Sequence, residues 1–220
     1  MSETIETPLP ASVRNHWWWR PGWREGRHFH ACHLTLDDQP QLRELVADYQ
    51  QALTGMPGID LIPPRWLHLT MQGIGFTDEI GAAELVALDQ ALTAELGTID
   101  PPTVEFRYLT VDPEAIYLKA HPAETLYPLR SKMHAAVSSV LGPEQFTEPA
   151  PDRATFLPHV SIGYTNRDDE AEPIAAALDS LTTRPVKVTF TKADLLEFHR
   201  DRRMYEWTST TPIPIGGSSG

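Results

Sequence analysis

The stretch Pro63-Pro64-Arg65-Trp66-Leu67-His68-Leu69-Thr70-Met71 decides the fold. A loop marked by prolines and an aromatic leads into a strand. Side chains on an extended strand alternate between faces, so His68 and Thr70 share one side and Leu69 and Met71 take the other. A sheet that buries Leu and Met behind itself then presents an imidazole and a hydroxyl together. Thr155-Phe156-Leu157-Pro158-His159-Val160-Ser161-Ile162 repeats the arrangement, with His159 and Ser161 set against Val160 and Ile162. Two such strands facing each other place two imidazoles round one substrate.

Working outward, each histidine strand closes a strand–helix–strand unit. Residues 29–36 read as a strand. Asp37 or Asp38 caps a helix through Leu53, with Leu42, Leu45, Val46, Tyr49 and Leu53 on one face. Residues 55–64 form a loop into the His68 strand. Thr77 or Asp78 opens a second helix with Leu85, Leu88, Leu92 and Leu96 at helical spacing and Gly97 as its stop. Strands at 103–109 and 115–120 meet across Asp112-Pro113. A third helix carries Leu126, Leu129, Met133, Val137, Val140 and Leu141 inward, ends at Gly142, and leads by a loop to the His159 strand. A fourth helix over 168–181 and strands at 185–191, 193–199 and 203–208 complete the pattern. This is an α+β fold with largely antiparallel pairing, in two similar lobes round a central cleft. Residues 13–210 make one domain, between a disordered tail at 1–12 and a flexible tail at 211–220.

Nine histidines and 41% apolar residues predict about 0.2 chance copies of the His-apolar-Thr/Ser-apolar pattern. Three are present, because His33-Leu34-Thr35-Leu36 also matches. His68 and His159 are the expected pair, since both follow proline-marked loops, whereas His33 sits in the first strand beside a helix start. Packing is the expected role of His33 and Thr35, with both able to border the cleft. His28, His30 and His33 do not make a metal site, because His33 falls on the opposite strand face. Neither His-Glu-x-x-His nor a phosphate-binding glycine loop is present, and no metal or cofactor is expected.

Composition bounds the partners. No apolar run is long enough to span a bilayer, and the N-terminus lacks a secretory pattern, so a cytoplasmic protein without a membrane partner is expected. The single cysteine, Cys32, reads as a small buried residue. A net charge of −12 argues against binding long duplex nucleic acid, yet leaves room for a local basic cleft. Positive charge clusters at Arg14, Arg20, Arg24 and Arg27, and again at 199–203. Arg200 and Arg203 flank a tight turn and read as solvated, with a phosphate contact open to either. Trp17, Trp18, Trp19 and Trp23 read as packing over a sheet surface, with base stacking as the rival role. Gln72 continues the inward face after Thr70 and is a candidate substrate contact, whereas Tyr164 points away from His159 into the core. A monomer is expected.

The paired tetrapeptides resemble those of the 2H phosphoesterase superfamily, in particular its 2'-5' RNA ligase branch of cyclic phosphodiesterases. The resemblance follows element order from about residue 29 to 207. It implies a bilobal fold with outer helices and a central cleft. It also implies metal-independent hydrolysis of 2',3'-cyclic phosphodiesters on RNA ends or nucleotides, often leaving a 2'-phosphate. By position, His68 and His159 match the catalytic pair, and Thr70 and Ser161 the phosphate-holding residues. The tryptophan-rich segment, the third histidine motif and the acidic charge fall outside that pattern.

The chemistry stands on the residues as well. Opening a cyclic phosphodiester needs a base for water and an acid for the departing ribose oxygen, and histidine serves both roles near its ordinary pKa of about 6.5. Hydroxyls two residues on can donate to the non-bridging oxygens. Rival readings are 2'-5' ligation, another cyclic or 2'-linked nucleotide phosphodiester as substrate, and a binding module for RNA ends that does no chemistry.

Overall fold

A computed structural model describes residues 8–217 apart from 147, 180 and 183. In chain order the strands are β1 (Ser12–Val13), β2 (Phe29–Thr35), β3 (Ile59–Leu61), β4 (His68–Phe76), β5 (Thr103–Val111), β6 (Ala115–His121), β7 (His159–Thr165), β8 (Asp169–Glu170), β9 (Val186–Thr189), β10 (Lys192–His199) and β11 (Glu206–Pro214). The helices are α1 (Pro40–Leu53), α2 (Ala82–Leu96), α3 (Tyr127–Gln145) and α4 (Glu172–Asp179). The expected α+β class is the one observed.

The two lobes are halves of a single antiparallel sheet in the order β11-β10-β2-β4-β7-β6-β5-β9, with β3 added beside β7. β4 and β7 pair only at Leu69 opposite Val160, so the halves meet at the two histidine motifs and nowhere else along the seam. The crossover helices are exchanged between halves. α1 leaves β2 in the first half yet packs on β3, β7, β9 and α4, whereas α3 leaves β6 in the second half yet packs on β4 and α2. Neither half therefore has a core of its own, which is why no linker separates them.

The apolar faces expected from periodicity are buried. Leu42, Leu45, Val46, Tyr49 and Leu53 of α1 are each at most 1% exposed, and each large side chain so buried contributes roughly 1.5–3 kcal/mol. Leu34, Leu69, Val160 and Ile162 form the sheet side of the same core. α3 ends in effect at Leu141, because Gly142 takes φ 71° and breaks the helix before Pro143.

Several boundaries differ from the sequence reading, each because a distant partner intervenes. α2 starts at Ala82 rather than at 77 or 78. The Asp78 carboxylate is taken by Arg27 at 2.9 Å, and Gly81 becomes the cap, its N–H donating to Glu84 at 2.7 Å. α4 starts at Glu172 rather than at 168, since Asp169 and Glu170 pair with β1. β11 runs to Pro214 rather than ending at 208, with Ile213 and Ile215 buried and the Gly216 N–H donating to Leu96 at 3.1 Å. The expected tail at 211–220 is thus part of the fold as far as Gly216; positions 1–7 and 218–220 of the two expected tails lie outside the described residues. Among the described residues no helix is long and apolar enough to cross a membrane.

Candidate active site

The single β4–β7 pair sets the site. Carrying its antiparallel register one residue either way puts His68 opposite Ser161 and Thr70 opposite His159. Leu69 and Val160 lie between them, fully buried on the other face. All four polar side chains line one cleft of about 430 Å³. His68 and His159 are half-buried, Thr70 is exposed to the cleft and Ser161 is buried.

Both imidazoles are held the same way. His68 Nδ1 lies 2.8 Å from the Trp66 carbonyl and His159 Nδ1 lies 2.8 Å from the Leu157 carbonyl. A carbonyl only accepts, so Nδ1 carries the proton in each ring and Nε2 is the nitrogen left for chemistry. A base needs the Nε2 lone pair and an acid needs Nε2–H, and this anchoring permits either.

Each motif strand then breaks its alternation three residues after its histidine. Cys32 pairs with Gln72 and His33 with Thr70, leaving Met71 as an extra residue in β4. Ile116 pairs with Gly163 and Tyr117 with Ser161, leaving Ile162 extra in β7. Such bulges shift the facing of everything that follows. In β7 the extra residue is held by its carbonyl, which accepts from the Ile62 N–H at 3.0 Å and from Gln50 Nε2 at 2.8 Å.

These bulges overturn two sequence expectations. Gln72 does not face the cleft: it is 1% exposed and donates to Gly73 and to Glu148, while Gly73 takes the lining position. Tyr164 is buried in the core as expected, but it lines the cleft instead of pointing away from His159. Single-residue bulges have no marker in a periodicity reading, so neither shift was visible beforehand.

The remaining walls come from neighbouring strands. His33 borders the cleft and its ring stacks on His68, while its Nδ1 lies 3.0 Å from the Cys32 carbonyl. Thr35 donates to Asp194 at 2.6 Å within a buried network that includes Lys192, and takes no part in the lining. Tyr117 packs 4.4 Å from His159, and Tyr205 lies 6.3 Å from His68. Asp112 and Glu114, both in the β5–β6 turn, add carboxylates to the rim. Sequence reasoning did not single out Tyr117, Tyr205, Asp112 or Glu114, since none stands in a motif.

Electrostatics separate the two histidines. Burial lowers the pKa of His68 to about 4, with the neighbouring His159 adding to the fall and the Trp66 carbonyl opposing it. Burial also lowers that of His159, but both the Leu157 carbonyl and the Asp112 carboxylate oppose it. Burial and the adjacent His68 take His33 well below its ordinary value, so it is neutral.

The N-terminal segment closes one end of this cleft. It starts on the second half, where the Arg14 N–H donates to Pro113 and the His16 N–H to Thr165. It finishes on the first half, where Trp23 packs against Phe29, Phe76 and Phe198 at 5.2–5.6 Å. Gly22 holds φ 80° with its α-carbon against Phe76, where a Cβ would come within 2.7 Å of the ring. His16 lines the cleft, stacked 4.2 Å from Tyr164, with Nε2 3.0 Å from the Tyr205 hydroxyl. Trp17 and Trp23 pack as expected, whereas Trp18 and Trp19 remain 47% and 50% exposed. Arg200 is not solvated. It is 3% exposed, donates to the His16 carbonyl at 3.1 Å, and lies 5.5–6.0 Å from the rings of Trp17, Trp19, Trp23 and Tyr205. Arg203 sits exposed in the β10–β11 turn with φ 54°, away from the cleft lining. The arginines of the segment are tied to the body of the protein by Glu114, Asp78 and Glu79. Among the described residues no group of three or more His, Cys, Asp or Glu side chains is placed to hold a metal ion.

Residues 37–202 match the 2'-5' RNA ligase superfamily, and the chain belongs to that family. A Bacillus licheniformis protein carrying an inferred phosphoesterase name is 27% identical over 145 residues, spanning 66% of this chain and 77% of that one. Among solved structures, TT0787 of Thermus thermophilus superposes with a TM-score of 0.61 at 21% identity, covering 87% of this chain and 99% of its own. LigT of Escherichia coli complexed with 3'-AMP gives 0.52 at 15% identity over 85% and 98%. At these identities the two structures speak for the fold.

Proposed function

We propose that this protein hydrolyses 2',3'-cyclic phosphodiesters at RNA ends or on nucleotides, without a metal, by paired histidine acid and base catalysis. The observation that carries this reading is the crosswise site. Two imidazoles with identically anchored Nδ1 share one cleft, each set opposite the hydroxyl of the other strand. His68, with the lower-lying pKa, is the base, and His159, beside Asp112, is the acid. Nε2 of His68 takes a proton from water as its oxygen bonds to phosphorus. Nε2–H of His159 gives its proton to the ribose 3'-oxygen as that P–O bond breaks, which leaves a 2'-phosphate. Exchange with solvent resets both rings. Thr70 and Ser161 donate to the non-bridging oxygens, where negative charge builds in the transition state. The proton transfers and the charge stabilisation are thus covered by side chains.

Family membership, the phosphoesterase name of the Bacillus licheniformis relative and the 3'-AMP complex of LigT support a nucleotide phosphodiester as the substrate class. Joining RNA ends through a 2'-5' bond is the same displacement with a ribose 5'-hydroxyl attacking phosphorus in place of water, and is the weaker activity in water. The test is turnover of a 2',3'-cyclic nucleotide and of a short RNA with a cyclic phosphate end, in EDTA. Product carrying a 2'-phosphate, and its loss in His68→Ala, is the expected result; activity that vanishes with EDTA and returns with a divalent cation rejects the mechanism.

A further inference from the structure

We propose that Trp18 and Trp19 form a stacking platform at the mouth of the cleft for the unpaired RNA nucleotide that precedes the reacting one. The proposal rests on the phosphodiesterase reading of the cleft and names the substrate as an RNA strand end rather than a free nucleotide. These two indoles are about half exposed, although Trp17 packs against the core and Trp23 against Phe29, Phe76 and Phe198. Water-facing tryptophan is unusual enough to ask what covers it.

Neither lines the cleft itself, and each is tied to it through one further residue. Trp18 Nε1 donates to Glu114 at 3.1 Å, and Glu114 lines the cleft beside Asp112 and His159. Trp19 lies 6.0 Å from the guanidinium of Arg200, which is itself 5.5 Å from the ring of Tyr205 in the cleft wall. The tryptophans thus sit between the two turns that edge the cleft, one tied to each half. Their rings are pre-oriented by these contacts, which lowers the entropy lost on stacking.

Charge favours a polyanion here in spite of the overall −12. Arg14 and Arg20 both pair with the carboxylate of Glu114, and the Arg20 guanidinium lies 5.0 Å over the Trp18 ring. Arg200 is buried with Nη1 unpartnered. Aromatic faces beside arginines suit single strands, because every base has a π-face and every link a phosphate. The substrate's geometry gives the direction: a 2',3'-cyclic phosphate is terminal, so the rest of the strand leaves only from its 5' side. Trp18 and Trp19 lie outside the family-matched span of 37–202.

The test measures quenching of intrinsic tryptophan fluorescence by two probes. One is a single-stranded oligoribonucleotide ending in a 2'-phosphate, and the other is the matching nucleoside 2'-phosphate. The full-length protein is expected to bind the oligonucleotide at least tenfold tighter, and Trp18→Ala with Trp19→Ala to remove that advantage. Thermal melts of the double variant check the fold, and single Trp→Phe changes should keep most of the advantage. Equal affinity for the two probes overturns the platform and leaves the cleft reading standing. Tight oligonucleotide binding lost in the Trp→Ala variants, with no turnover of any cyclic phosphate, supports the platform and overturns the cleft chemistry. An advantage that survives the double substitution, or quenching by neither probe, overturns the platform.

Discussion

The imidazoles of His33 and His68 lie flat against each other, 4.5 Å between centroids and 14° between planes. His33 pairs with Thr70 and Thr35 with His68, so the stack runs diagonally across two adjacent strands of the first half. With its Nδ1 at the Cys32 carbonyl and its charge suppressed by burial, His33 fixes the plane of the His68 ring. Such ring pairs are worth roughly 0.5–1.5 kcal/mol. His33→Ala is therefore expected to lower kcat about fivefold with little change in KM, and His33→Phe to restore most of it. A kcat drop in His33→Ala equal to that of His68→Ala would make His33 part of the chemistry itself.

His68→Ala and His159→Ala should each lower turnover by at least about 10²-fold while the melting temperature stays close to that of the parent. Steady-state kinetics beside circular dichroism check this. Combining the two should cost far less than the product of the single losses, because base and acid act in one step.

The pH profile carries the acid and base assignment. Both histidines titrate below 6.5 in the free protein, so kcat/KM is expected to peak on the acid side of 6.5 and fall on its alkaline side as His159 loses its proton. A bound phosphate anion favours the charged form of both rings, which moves the kcat profile to higher pH than that of kcat/KM. Asp112→Asn removes one of the influences that raise the His159 pKa and should shift the alkaline limb downward. An alkaline limb unmoved by that change would reassign the acid.

Gln50 shows how far from the cleft the site is set. Its Nε2 lies 2.8 Å from both the Ile62 and the Ile162 carbonyls, clamping the β7 bulge that turns Tyr164 into the cleft. Gln50→Leu is expected to cost about 2 kcal/mol in urea unfolding, two hydrogen bonds at about 1 kcal/mol each. Turnover should fall as well, although Gln50 touches no substrate.

Acid should unfold the protein through its neutral histidines. Burial, helped by Arg20 and Arg200, lowers His16 to about 3, and burial lowers His68 to about 4. The unfolded chain takes up these protons near 6.5, whereas the folded chain resists until about 3–4. Their contribution is thus complete above about 6.5 and lost progressively as pH falls toward 3. Melting temperature measured from pH 7 to 4 should decline over that window, and His16→Gln should flatten part of the decline.

Local periodicity was enough for the strand–helix–strand units, the α1 face from Leu42 to Leu53, and the pairing of His68 with Thr70 and of His159 with Ser161. All of these depend on residues within one turn or one pleat of each other, and an amphipathic pattern survives in any tertiary setting that buries it. What the sequence could not reveal depends on partners far along the chain. The start of α2 moved because Arg27 claimed Asp78, and the start of α4 moved because Ser12 and Val13 paired with Asp169 and Glu170. Arg200 became a buried cation because His16 and three tryptophans enclosed it. Bulges at Met71 and Ile162 exchanged Gln72 for Gly73 and brought Tyr164 into the cleft. An extra residue in a strand is recognised only against the strand beside it, since the pairing partner supplies the hydrogen bonds that one pleat must forgo. The sequence by itself determined which imidazoles and hydroxyls are the candidates for the chemistry; the tertiary structure decided which way they face.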